Sequence, residues 1–204
     1  MIQDMERINR IYLVRHGQVK GHEEIPICGH TDVDLTETGL LQLDRVAERL
    51  RLADPGAIYA SDLKRAATGA RQIGCYHNVP VHFLPELREM YFGDWEGYTL
   101  GKIIKEYPEE VEKRKKDPAR YACPGGGESI SRLSDRVLPV FERIRAEEAG
   151  KDIVIVAHGG VNRVILSHVL GLDLSRIFNI QQDYGCLNIF DYFPDSVVVQ
   201  LING

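Results

Sequence analysis

No unbroken apolar run in this 204-residue chain approaches bilayer length; the longest, such as Ile153 to Ala157, end after five residues. The first ten residues, M-I-Q-D-M-E-R-I-N-R, carry acidic groups and lack the apolar stretch of a secretory signal, so a cytoplasmic protein is expected. The C-x-x-C spacing is also missing. Cys28, Cys75, Cys123 and Cys186 stand far apart, which disfavours a zinc site or a redox motif and predicts four reduced thiols. Positive charge is in deficit, with 25 Lys and Arg against 30 Asp and Glu and a formal charge of −5. A general nucleic-acid or acidic-membrane binder is therefore not expected. Internal repeats, low-complexity tracts and linkers are absent, so one domain over residues 1–204 is expected. A hydrophobic content of 44% and a charged content of 27% are those of a globular chain and exclude disorder, collagen and coiled coil. A small anionic molecule remains a suitable partner, because a local cluster of charge can outvote the total.

What is present alternates between two periodicities. Ile8 to Val14, Ala57 to Ala60, Val81 to Leu84 and Asp152 to Ala157 are short apolar runs that read as buried strands. Between them lie helical patterns. Leu40, Leu43, Ala47 and Leu50 recur at helical spacing, with Leu41 and Val46 widening the face. Ser61 or Asp62 can cap a helix running through Ile73, and Lys102 to Lys116 is helical but polar, broken near Pro108. Glu128 and Ser129 open a helix with a stripe of Leu133, Val137, Val140, Phe141 and Ile144, and Val161 to Leu170 is an apolar helix. Gln18 to Asp34 is a long loop, and Pro85 to Gly101, with Tyr91, Phe92, Trp95 and Tyr98, is an ordered loop. Leu187 to Tyr192 and Val197 to Leu201 form a hairpin turned at Pro194-Asp195. This order specifies the α/β class with a mostly parallel sheet covered on both faces, and ligands in such sheets bind beyond the carboxyl ends of the strands.

Two of the strongest strand candidates end alike, in I-Y-L-V-R-H-G at 11–17 and I-V-I-V-A-H-G-G at 153–160, so His16 and His158 project from one sheet edge. Arg15 adjoins the first, and Arg65, in S-D-L-K-R-A, follows the second strand candidate. Two guanidinium groups and two imidazoles around one point suit a tetrahedral dianion, phosphate. A neutral imidazole with one nitrogen protonated offers the other lone pair as nucleophile, a role assigned to His16. His158 then donates to the equatorial oxygens as charge shifts in the transition state. The leaving alkoxide needs a proton from a carboxyl group, and Glu86, Glu89, Asp94 and Glu96 all fall in one irregular segment. Composition does not choose among them, and three of the four are expected to be ordinary solvated charges.

The segments L-V-R-H-G (13–17), S-D-L-K-R-A (61–66), L-R-E-M-Y-F-G-D-W-E-G (87–97), G-G-E-S (126–129) and V-A-H-G-G (156–160) together resemble the histidine phosphatase superfamily, also called the phosphoglycerate mutase-like family. The resemblance covers nearly the whole chain in the family's order. It implies a three-layer α/β/α sandwich, no metal or other cofactor, phosphorylation of His16, and a phosphate pocket of Arg15, Arg65 and His158. It makes Glu89 the proton donor. It also implies substrate contacts around Gly17, Gln18, Cys28, Gly29 and Gly159, with Cys28 either a contact or a plain loop thiol. Where the family carries Trp and a phosphate-contacting Asn, this chain has Gly21 and His22, so His22 is either a replacement donor or a solvent-facing loop residue.

Mutases of the family are longer and lack the F-G-D-W-E-G form of the acid motif, so the resemblance favours a phosphatase acting on a small phosphorylated metabolite. T-D-V-D-L-T-E-T-G with E-L-R-E-M-Y-F-G-D-W-E-G is most similar to the branch acting on α-ribazole 5′-phosphate and its broad-specificity relatives. Phosphoglycerate mutase-type transfer and non-catalytic binding of a phosphorylated ligand are the alternatives. The run E-K-R-K-K (112–116) reads as a solvated helix face or as a steering patch for an anion. Trp95, Phe92 and Tyr91 read as core under the loop or as a stacking surface. The terminal hairpin and Ile177 to Ile180 are candidates for a homodimer contact or for closing the core.

Overall fold

The computed structural model describes residues 6–24 and 27–204; Met1 to Met5, part of the segment searched for a signal, and Ile25 and Pro26 of the long loop lie outside the described residues. A six-stranded sheet organises the chain in the order β3-β2-β4-β1-β5-β6, formed by β1 (Asn9–Arg15), β2 (Pro55–Ala60), β3 (Val81–Phe83), β4 (Asp152–Ala157), β5 (Leu187–Phe193) and β6 (Ser196–Leu201). The four strands from β3 to β1 run parallel, while β5 and β6 are the expected terminal hairpin, with β5 antiparallel to β1.

Both faces of the central strands are covered, which is why they read as continuous apolar runs. On one face, Tyr12 and Val14 of β1, Ile58 and Ala60 of β2, and Val154 and Val156 of β4 pack on α1 (Glu37–Leu50) and α2 (Lys64–Gly74). On the other, Ile11, Leu13, Ile153 and Ile155 pack on α5 (Ile130–Glu147) and α6 (Gly159–Leu170). The result is the three-layer α/β/α arrangement. Alternate residues of each strand feed opposite cores because strand side chains have a period of two.

The long segment between β3 and α5 extends the second face. Leu87, Met90, Trp95, Ile103 and Cys123 join that core, and Trp95 stacks on Tyr121 with ring centroids 5.8 Å apart. Trp95 is therefore core, as is the partly buried Phe92 packed against it. Two short 3-10 turns, Pro85–Leu87 and Gly93–Trp95, make up the only regular structure of the 85–99 stretch among the described residues. The polar helix is two helices, α3 (Leu100–Glu106) and α4 (Pro108–Lys116), because Pro108 starts a new first turn, where a missing N–H costs nothing.

Three local expectations are corrected. Leu40 and Leu41 were expected on the apolar face of α1, yet they are 39% and 58% exposed, because Gly39, Leu43, Val46, Ala47 and Leu50 fill the buried side. The N-cap of α2 is Leu63 rather than Ser61 or Asp62. Ser61 Oγ accepts from the Leu63 amide, and the Asp62 carboxylate is taken by Arg88 at 2.7 and 2.5 Å. Helix α6 begins at Gly159, two residues earlier than its apolar pattern, since its first turn is shaped by the site. Ile177 and Ile180 are buried and close the core, leaving Phe178 exposed between them. No helix among the described residues is long and apolar enough to cross a membrane.

The packing gives a direct check. Phe141 is fully buried against Phe190 and Tyr192, so Phe141→Ala is expected to lower unfolding free energy by about 3–5 kcal/mol, whereas Leu41→Ala should stay within about 0.5 kcal/mol. Urea denaturation of both variants measures the contrast.

Candidate active site

Strands β1 and β4 are neighbours in register, with Arg15 opposite Ala157, so His16 and His158 leave the sheet side by side. Their ring centroids are 5.1 Å apart. Strand β2 flanks β4, and the helix that follows it puts Arg65 in its first turn, next to His158. Arg65 Nε donates to His158 Nδ1 at 3.2 Å. His16, Arg65 and His158 are each at most 5% exposed. The four residues expected to form the phosphate pocket thus converge at the carboxyl edge of the parallel strands.

Hydrogen bonds fix both imidazole tautomers. Nδ1 of His16 lies 2.8 Å from the Gly17 carbonyl, which can only accept, so Nδ1 carries the proton and Nε2 keeps its lone pair. Arg65 Nε can only donate, so Nδ1 of His158 is the acceptor and Nε2 carries the proton. That Nε2 and Arg15 Nε are buried without a hydrogen-bond partner among the described residues. Buried polar groups are usually satisfied, and these two unpartnered donors, among several such atoms in the described residues, suit an anionic acceptor. Both histidines are held neutral: burial pushes each pKa well below the usual 6.5, and the neighbouring Arg65 and Arg15 charges push the same way.

Glu89 stands at the N-terminus of α6. One carboxylate oxygen accepts from its neighbour Met90 N at 2.9 Å, and both face the Gly160 amide at 3.1 and 3.0 Å. A Cβ at Gly160 would lie 2.4 Å from Glu89 Oε1, so only glycine admits the carboxylate there. Arg136 of α5 holds the segment from behind, donating to the carbonyls of Glu86, Arg88 and Glu89 and pairing with Glu128. Glu96 is not a solvated charge as expected. Its carboxylate accepts from the amides of Gly29, His30, Thr31 and Phe92 and from Thr31 Oγ.

The other expected substrate contacts fall into two groups. Gly17 fixes the His16 tautomer, and Gly159 sits at the start of α6, where a Cβ would approach Arg163 and Arg15. Cys28 and Gly29 touch Arg65 through their carbonyls at 3.3 and 2.6 Å, while burial pushes the Cys28 thiol pKa up. By contrast, Gln18 is tied to the start of α1, its Oε1 accepting from Thr36 Oγ and its amide donating to Gln42. His22 lies in a 3-10 turn with Nδ1 3.5 Å from Glu23, and none of its contacts among the described residues reaches the two histidines or Arg65.

Sequence reasoning missed the 181–186 segment and Arg163. The Gln182 carbonyl accepts from Arg15 Nη1 at 2.6 Å, and the Arg15 guanidinium stacks 4.1 Å from the Tyr184 ring centroid. Only the antiparallel pairing of β5 with β1 brings that segment here. Arg163 was legible, being one turn beyond Gly159 on the same helix face. Beside Glu89, Gly160 and Arg163 opens a cavity of about 620 Å³ lined mostly by apolar side chains such as Met90, Phe92, Leu133 and Phe178, together with Arg114 and Lys115. Among the described residues no three His, Cys, Asp or Glu side chains gather as a metal site. Guanidinium groups around the two histidines would also repel a cation.

Fold and site together define an α/β protein with two guanidinium groups and two imidazoles gathered at the carboxyl edge of its sheet. Residues 11–204 match the family model of the histidine phosphatase superfamily, branch 1, and the chain belongs to that family. It is 30% identical to the adenosylcobalamin/alpha-ribazole phosphatase of Salmonella typhimurium, over 95% of this chain and 96% of that protein. It is 35% identical to a metal-independent phosphoserine phosphatase of Arabidopsis thaliana, over 78% of this chain and 67% of the other. The crystal structure of the alpha-ribazole phosphatase from Shigella flexneri superposes with a TM-score of 0.86 at 28% identity, covering 96% of each chain. The enzyme is a phosphatase of the histidine phosphatase type.

The buried neutral histidines predict a pH-dependent stability. In the unfolded chain they titrate near 6.5, and the fold refuses those protons, so stability is flat above that pH and falls as pH drops below it. Melting temperatures at pH 7.5, 6.5 and 5.5 are expected to decline on the acid side, and His158→Gln should make the decline shallower.

Proposed function

We propose that the enzyme hydrolyses a phosphomonoester through a phosphohistidine at His16. The observation that carries this reading is the complementary pair of tautomers: a free lone pair on His16 Nε2 beside an unpartnered N–H on His158 Nε2. His16 Nε2 attacks phosphorus, the bond to the ester oxygen breaks, and the leaving alkoxide takes the proton of the Glu89 carboxyl group. Water then attacks the phosphohistidine with Glu89 accepting its proton; the P–N bond breaks, releasing inorganic phosphate and neutral His16. Arg15, Arg65 and His158 donate to the phosphoryl oxygens through both steps, so no metal is needed to balance the charge.

The leaving group is bulky and apolar. Glu89 and Gly160 line the 620 Å³ cavity, and Gly160 follows His158 by two residues, so the group that departs from phosphorus toward Glu89 enters a chamber that is mostly apolar, with Arg114, Lys115 and Arg163 among its lining. An aromatic nucleoside such as the α-ribazole moiety fits that chemistry, and the relatives named for α-ribazole support it. A phosphoserine or phosphoglycerate leaving group would meet the cations Arg114, Lys115 and Arg163 of that lining but would cover far less of its apolar surface than an aromatic nucleoside does.

Phosphate release from α-ribazole 5′-phosphate, 3-phosphoglycerate, phosphoserine and p-nitrophenyl phosphate, with chelator present, tests both levels. The aromatic esters are expected to exceed phosphoserine in kcat/KM by at least about tenfold, the discrimination one well-packed apolar contact supplies. His16→Ala should abolish release. Undiminished release in that variant overturns the nucleophile, and a ranking led by phosphoserine overturns the leaving-group reading.

A further inference from the structure

We propose that Glu96 is a positioning residue that sets Arg65 in the phosphate pocket through the peptide groups of loop 28–31; this rests on Arg65 binding phosphate as above. A half-buried carboxylate and a buried guanidinium grip one short loop from its two hydrogen-bonding sides. The Glu96 carboxylate takes the donors: Gly29 N at 3.2 Å, His30 N at 3.1 Å, Thr31 N at 3.0 Å and Thr31 Oγ at 2.5 Å, with Phe92 N at 3.1 Å completing the set. Arg65 takes the acceptors: Nη1 donates to Thr31 O at 2.8 Å, and Nη2 to Gly29 O at 2.6 Å and Cys28 O at 3.3 Å. The Cys28–Gly29 and Gly29–His30 peptide groups each give the carbonyl to Arg65 and the N–H to Glu96. Their dipoles are therefore polarised from each end, which strengthens both sets of bonds.

The relay accounts for three otherwise separate facts. Arg65 is 1% exposed and has no carboxylate partner within salt-bridge distance among the described residues. Its guanidinium is instead met by three carbonyls of a loop that Glu96 anchors, leaving the Nε donor to orient His158. Glu96 sits in the irregular segment with the candidate acids, yet five donors favour its ionised form over the opposing effect of burial, so it holds no proton to give. Residue 29 must be glycine because a Cβ there would lie 2.1 Å from Met90 O and 2.2 Å from Glu96 Oε1. The loop is thus seated directly on the carboxylate. Removing the charge frees three loop amides, and the carbonyls that restrain Arg65 shift with them.

A residue acting only through Arg65 must weaken phosphoryl binding for every ester alike and must lose its effect once Arg65 is gone. The test is a double-mutant cycle on Glu96→Gln and Arg65→Ala, read by the vanadate inhibition constant and by kcat/KM for p-nitrophenyl phosphate and α-ribazole 5′-phosphate. Glu96→Gln is expected to weaken vanadate binding and lower both kcat/KM values by on the order of tenfold to a hundredfold, the cost of a displaced positioning group. The ratio between the two esters should stay unchanged. In the Arg65→Ala background the same substitution should cost less than about threefold, since contacting groups in one network are non-additive. Equal losses in both backgrounds, or unchanged vanadate affinity in Glu96→Gln, overturn the proposal. Unchanged vanadate affinity in Arg65→Ala itself overturns the phosphate-pocket reading beneath it. Thr31→Val removes one donor and keeps the loop's volume, so it carries the same cycle if Glu96→Gln fails to fold.

Discussion

Strand β1 lies parallel to β4 with Arg15 opposite Ala157, and every functional feature of the molecule hangs from that pairing. Parallel neighbours end at the same edge, so the residues just past each strand, His16 and His158, face one another without any further device. A slip of one residue would turn one histidine to the opposite face of the sheet, because side chains alternate with a period of two. The register is secured by the cores on both faces, where Ile11, Leu13, Ile153 and Ile155 go one way and Tyr12, Val14, Val154 and Val156 the other.

Burial at that edge then sets the chemistry. Two imidazoles enclosed with two guanidinium groups cannot take up a second proton and its charge, and their hydrogen-bond partners among the described residues, Gly17 O and Arg65 Nε, force opposite tautomers on them. Equivalent positions on equivalent strands thereby acquire different roles. The same economy of backbone groups recurs at Glu89, whose two carboxyl oxygens face the Gly160 amide in the first turn of α6.

Much of this was readable from the chain. The two strand-ending R-H-G and A-H-G-G runs located the site, the hairpin after Gly185 was placed within a residue or two, and the break at Pro108 was read correctly because proline acts locally. The core assignment of Trp95 also stood, since a large aromatic among apolar neighbours has few other places to go. Errors came where a residue's role depends on groups distant in sequence. Glu96 was taken as a solvated charge, but its partners at Gly29 to Thr31 are over sixty residues away. Likewise, the tie of Gln18 to Thr36, the N-cap of α1, joins residues eighteen positions apart that no local pattern links.

The sequence by itself determined the α/β class, the strand ends that carry the histidines, and the residue types that suit a phosphoryl group, because these follow from periodicity and from chemistry held within a few consecutive residues. Tertiary structure alone decided which of four acids meets the amides of α6, which carbonyls grip Arg65, where the 181–186 segment lies, and what shape receives the leaving group. Those outcomes depend on hydrogen bonds and packing between segments brought together only by the sheet order β2-β4-β1-β5, and no local pattern encodes a neighbour that the chain reaches only after folding.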